Sequence, residues 1–214
     1  MKKLFLFALL GFCAMTTTTS CSSDDDNTQQ EAKNFFSVEN NEYSLKTGLL
    51  EFWGEDAPGT FAWDVNLLSS NLSINFENDF PFEFEDDLVS NILMELNTDT
   101  MDGLLAGVYE IDQENFSPFV CSYIELAVEC DVSDFDADEE IACTGFYFIE
   151  SNGTVEIVSI EGDVYEFKIE GETEEGFAFE AHYKGELLDL DNFMERPYTE
   201  IEFNKKFNRK PRKK

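Results

Sequence analysis

Positive charge is nearly absent from the body of this chain. The whole sequence has 14 Lys and Arg against 46 Asp and Glu. Lys2 and Lys3 open it, and seven bases fall after Asn204. Residues 22–203 keep five bases (Lys33, Lys46, Lys168, Lys184, Arg196) against all 46 acids, a net of −41. Such a surface repels nucleic acid and anionic lipid, so no nucleic-acid partner is expected. Histidine is scarcer still, because His182 is the only one. A single imidazole leaves the usual zinc centres short of ligands. By alternation His182 shares a face with Glu180 and Lys184 and reads as a solvated surface residue. A G-x-S-x-G elbow, a phosphate loop and a dinucleotide fingerprint are also missing, which removes the common nucleophile and nucleotide chemistries. The apolar run from Leu4 to Met15 has twelve residues, where about 20 are needed to span a bilayer.

What is present is apolar and aromatic. Hydrophobic residues make up 43% and aromatics 14% of the chain, with 22 Phe. That composition excludes a disordered chain and leans toward strands. "FAWDVNL" alternates Phe61, Trp63, Val65 and Leu67 against Ala62, Asp64 and Asn66. "VYEFKIE" and "FAFEAHYKG" alternate in the same way, as strands with one buried and one wet face do. "GEDAPG" at 54–59, "EGD" at 161–163 and "GETEEG" at 171–176 mark turns between such runs. The pattern predicts strands near 34–39, 42–53, 60–72, 90–97, 107–111, 119–129, 144–150, 153–160, 163–170 and 177–188. Val89, Ile92, Leu93 and Leu96 also fit a helix, but Ile92, Met94 and Leu96 favour a strand, with room for a short helix before it. The expected fold is all-β: an antiparallel two-sheet sandwich or flattened barrel of about ten strands, with a meander in the C-terminal half.

The start of the chain carries an address. Lys2 and Lys3, the apolar run and a polar stretch make a secretory leader over residues 1–20. Thr18-Thr19-Ser20-Cys21 resembles a lipobox, with Thr18 where that pattern has Leu. The resemblance implies cleavage before Cys21 and lipidation of its thiol, which anchors the protein to the membrane. Ser22, Ser23, Asp24, Asp25 and Asp26 resemble the acidic export signal behind the lipidated cysteine of Bacteroidota surface lipoproteins. Residues 21–33 then form a flexible tether, 34–203 a single β-domain, and 204–214 a basic tail without structure. The expected location is the outer membrane, facing the cell exterior.

The body has a recognisable layout: "NEYSLKTGLLEFWG", "FAWDVNLLSS", "ILMELNT", "LLAGVYEI", then "GTVEIVSIEGDVYEFKIEGETEEGFAFEAHYKGEL". It resembles a broad group of uncharacterised Bacteroidota surface lipoproteins over most of residues 35–190. The resemblance implies an all-β fold and an outer-membrane address. It implies no catalytic residue, and the acidic insertions and basic tail depart from the layout.

Candidate sites are few. With 46 acids, some carboxylate pair stands at glycosidase spacing by chance. Asp134, Asp136 and Asp138 copy the first three ligand positions of an EF-hand loop, but Glu139 and Gly145 replace its glycine and closing glutamate. With Glu140 they leave a looser oxygen-ligand set for Ca²⁺; the competing reading is a pair of solvated, mutually repelling loops, and no cofactor is required. Cys130 and Cys143 flank this loop and would bridge the mouth of a hairpin between strands 119–129 and 144–150, worth about 3 kcal/mol on loop entropy. Cys121, nine residues before Cys130, falls on the opposite face of a regular strand and reads as a buried free thiol. Asp99-Thr100-Met101 resembles the O-glycosylation sequon of exported Bacteroidota proteins, which places a sugar on Thr100. The leading functional reading is a non-enzymatic surface lipoprotein that binds a glycan, a metal or an envelope protein. Exposed Trp would serve a sugar, although Trp63 points inward by alternation. The alternatives are a carboxylate glycan hydrolase, which needs a cleft, and a lipocalin-like carrier, which needs an apolar cavity.

Overall fold

Tight turns set the first strands. Val38 pairs with Asn41 across Glu39 and Asn40, whose φ angles are 52° and 64°. Positive φ at both central residues belongs to the type I′ turn, whose twist suits a two-residue hairpin. It joins β1 (Phe35–Val38) to β2 (Asn41–Ser44). The single strand expected over 42–53 is broken at Leu45 and Lys46, whose amides bond Asn34 O and Leu68 O at 3.1 and 2.7 Å. The chain then resumes as β3 (Thr47–Ala57), turns at Pro58 and Gly59 (φ 78°), and returns as β4 (Thr60–Leu68). Proline followed by a positive-φ glycine is the type II arrangement.

The computed structural model describes residues 33–74, 82–133 and 141–191, and among them runs thirteen strands where about ten were expected. The rest are β5 (Leu72–Ile74), β6 (Phe82–Phe84), β7 (Leu88–Thr98), β8 (Gly107–Asp112), β9 (Val120–Asp131), β10 (Gly145–Phe148), β11 (Ser151–Glu161), β12 (Val164–Glu172) and β13 (Ala178–Asp189). The ambiguous segment is a strand, β7. Residues 82–87 before it hold β6 and bends rather than a short helix.

Eight strands close a barrel in the order β12, β11, β8, β9, β7, β4, β3, β13, with β13 returning to pair β12. The all-β expectation holds. The two-sheet sandwich does not, and neither does uniform antiparallel pairing. Two contacts are parallel: β8 with β9 at Glu110↔Val120 and Ile111↔Cys121, and β13 with β3 at Leu187↔Gly48 through Asp189↔Leu50. The seam explains the closure. β13 lends the first half of its free edge to β1 and runs on past it to reach β3. Gly48 lets it pass, since a Cβ there would collide with Leu187 and come within 3.0 Å of the Tyr183 hydroxyl. Closure also removes the strand edges that an open sheet exposes. The expected C-terminal meander is β11–β12–β13, consecutive and antiparallel.

The interior is filled. Tyr109, Tyr183, Phe36, Phe167, Met94 and Leu126 are among its fully buried side chains. Each large apolar side chain buried there contributes roughly 1.5–3 kcal/mol. A second cluster gathers Leu68, Val89 and Leu188 with Leu72 and Phe82 of the separate β5–β6 ribbon.

Candidate functional site

The outer wall of β3, β4, β7 and β9 aligns polar side chains across the strands. Glu51 pairs with Asp64, Asp64 with Glu95, and Glu95 with Tyr123, so the four form one row. Two residues after Glu51, at a bulge on β3, an indole stands on the same face. Phe52 pairs with Trp63 and Gly54 with Ala62, which leaves Trp53 without a partner position. Phe52 packs on the inward Trp63 ring at 4.6 Å between centroids, while Trp53 turns outward and is 65% exposed. Trp63 is 7% exposed, inward as its alternation predicts. The Trp53 Nε1–H donates to Asp64 Oδ2 at 2.8 Å, which fixes the exposed ring beside the row.

A second bulge, on β9, completes the network. Tyr123 pairs with Glu95 and Cys121 with Leu96, so Ser122 is the extra residue. Its hydroxyl donates to Glu95 Oε1 and accepts from Asn97 Nδ2 at 2.8 Å. Tyr123 Oη donates to Glu125 Oε2. Asn97 is fully buried, and its Oδ1 has no partner.

The electrostatics follow from this crowding. Burial pushes the Asp64 carboxyl up to about 6, the Glu95 charge adds to the shift, and the Trp53 bond partly opposes it. Burial, then the bond to Glu125, pushes the Tyr123 hydroxyl up. Side chains directly opposite on antiparallel strands have Cβ atoms about 5 Å apart, near the carboxyl spacing of retaining glycosidases. The pair lines neither of two grooves on the described surface. A groove of about 780 Å³ runs elsewhere, between Glu110, Thr154, Glu170 and Glu180 and floored by Gly153 and Gly171. Another, of about 520 Å³, lies between Tyr43, Asp86, Asp87 and Glu129. Neither is lined by Asp64 or Glu95. An exposed indole face beside acceptors suits stacking on a ring and taking hydrogen bonds from its substituents.

The other sequence candidates scatter. Cys130 and Cys143 are joined in a disulfide at the mouth of the β9–β10 hairpin, beside the Asp131 N–H to Ala142 O bond of 2.9 Å. Cys121 is a buried free thiol, and burial pushes its pKa up. β9 is not regular between Cys121 and Cys130, because the Ser122 bulge resets its alternation and puts Cys121 in the interior with Ile124 and Leu126. His182 is not solvated. Its side chain is 12% exposed, with Nδ1 3.1 Å from Lys33 O and Nε2 3.3 Å from Glu166 Oε1. The start of the described chain crosses over it, held by a pair of bonds between the Asn34 side chain and the Lys184 backbone. Thr100 lies partly exposed in the β7–β8 loop, where its Oγ1 accepts the Asp102 N–H at 3.1 Å. Cys21, Ser22, Ser23, Asp24, Asp25, Asp26, Asp134, Asp136, Asp138, Glu140 and the basic tail lie outside the described residues.

Sequence reasoning passed over Asp64, Glu95 and Trp53 as a group. Alternation does place Asp64 on a wet face. Glu95 becomes its neighbour only through the β4–β7 register, and the Trp53 indole meets Asp64 only through the β3–β4 pairing. Comparison with protein-family models, curated proteins and solved structures finds no match for this chain.

Proposed function

We propose that this protein is a lipid-anchored, surface-facing lipoprotein whose barrel is a non-enzymatic binding module, and that the Trp53 wall is its glycan-docking surface. The observation that carries the reading is Trp53 itself. It is 65% exposed, set on a bulge and pinned by its indole N–H to Asp64 beside Glu95. A pinned aromatic ring loses little entropy on stacking against a sugar, and the carboxylates accept from sugar hydroxyls. The hydrolase alternative lacks support because neither groove described above brings Asp64 and Glu95 into a cleft. The carrier alternative lacks support because core side chains fill the barrel. An envelope-protein partner remains the competing binding reading.

The address rests on the leader, on Cys21 and on the Ser22–Asp26 run, and the resemblance to Bacteroidota surface lipoproteins supports it. Retardation in native gels cast with soluble polysaccharides tests the module. The wild-type chain is expected to be retarded by at least one neutral or cationic polysaccharide and Trp53→Ala to run freely. Equal mobility of both in every gel overturns the glycan reading. Loss of palmitate labelling in Cys21→Ser, and proteolysis of the wild type on intact cells, test the address.

A further inference from the structure

We infer that the Trp53 wall selects an amino sugar, holding its ammonium group between the indole face and the Asp64–Glu95 pair; the inference rests on the glycan reading above. The balance of donors and acceptors on this wall selects the ligand. The donors in the row are already spent inside the protein. Trp53 Nε1–H goes to Asp64, the Ser122 hydroxyl to Glu95, the Tyr123 hydroxyl to Glu125 and the Asn97 amide to Ser122. Two residues along β4, the Asn66 Oδ1 accepts from Asn91 Nδ2 at 3.1 Å. What the row still offers is acceptors and a π face.

Counter-charge is missing too. Lys33, Lys46 and Lys184 pair with Glu42, Asp86 and Glu166, and Lys168 stands opposite Glu156 on another part of the barrel. Among the described residues no base stands in the row with Glu51, Asp64 and Glu95. An ammonium group has three donors, no acceptor and a positive charge, and it is the group that aromatic faces flanked by carboxylates take up. A uronic acid or a sulfated sugar would meet repulsion and find no donor. Burial is the main cause of the raised Asp64 pKa, and a bound cation would offset the Glu95 and Glu51 charges that add to it.

The body carries −41, so any polycation will cling to it. The probe must therefore be small. The full chain in detergent is titrated with the glucosamine dimer, with its N,N′-diacetylated form and with digalacturonate, and followed by calorimetry and tryptophan fluorescence. The glucosamine dimer is expected to bind and to perturb fluorescence, at least tenfold more tightly than the acetylated dimer, with no binding of digalacturonate. Trp53→Ala and Glu95→Gln are each expected to weaken it at least tenfold. The double variant Glu170→Gln/Glu180→Gln, on a different face, is expected to leave it unchanged. If the acetylated dimer binds equally well in a Trp53-dependent way, the amine inference falls and the glycan reading stands. If no sugar binds, both fall. If Glu170→Gln/Glu180→Gln weakens binding as much as Glu95→Gln does, attraction is diffuse and the site is overturned. Trp53 is surface-exposed, so unchanged circular dichroism in Trp53→Ala separates lost binding from lost fold.

Discussion

Burial makes ionisation of Asp64 costly. Its pKa in the fold, about 6, lies above the ordinary aspartate value, so between about pH 4 and pH 6 the folded chain holds a proton that the unfolded chain has released. Its contribution therefore favours folding below about pH 4, is lost as pH rises through 6, and stays lost above. Asp64→Asn removes the charge and keeps an oxygen for Trp53. At pH 7 it is expected to stabilise the protein by about 1 kcal/mol, a figure reduced for solvent screening at this partly exposed site. At pH 4 the gain should vanish. Urea unfolding at the two pH values checks this, and an equal effect at both would contradict it. A residue whose replacement stabilises the fold while weakening binding is the signature of a site kept for its ligand. At this scale the sequence was partly legible. Alternation puts Asp64 outward and Trp63 inward, but nothing local marks Glu95 as the neighbour of Asp64.

Alternation places some of these side chains and a bulge places others. Trp53 keeps the outward face that alternation from Glu51 gives it, whereas the Ser122 bulge resets β9 so that Cys121 faces the core. A strict period of two cannot foresee that reset, because an extra residue inverts every face beyond it. The disulfide was legible because its spacing and flanking strands suggested a hairpin mouth. Cys130→Ala/Cys143→Ala is expected to lower stability by about 3 kcal/mol, since it frees the loop between the two cysteines. Guanidinium unfolding of the variant beside the wild type measures it, and a loss under about 1 kcal/mol would show that the unfolded chain gains little freedom there. His182 was misplaced for a long-range reason. Its outward face is correct, but the start of the described chain folds back across it through Lys33 and Asn34.

At the scale of the whole molecule, class was legible and closure was not. Alternating aromatic strands with short turns announce an all-β fold. Whether they split into two sheets or close into one barrel depends on a seam between distant residues, Leu187 to Asp189 against Gly48 to Leu50. Local periodicity contains no information on such a pairing, and the same holds for the short parallel contact of β8 with β9. The charge of the body, −41 over residues 22–203, acts on the entire barrel. Raising NaCl from about 20 mM to about 500 mM is expected to raise the melting temperature by several degrees through screened self-repulsion. A flat response would mean that the acids are already neutralised by bound counter-ions. The central claim, a ligand wall built on the Trp53–Asp64–Glu95 arrangement, has its most direct test in one amide-proton spectrum. Only two tryptophans exist, Trp53 and Trp63. The Trp53 indole signal should titrate with a midpoint near the Asp64 value of about 6 and should shift again when the glucosamine dimer is added, while the buried Trp63 signal stays in place. A Trp53 signal indifferent to both pH and sugar would contradict the account.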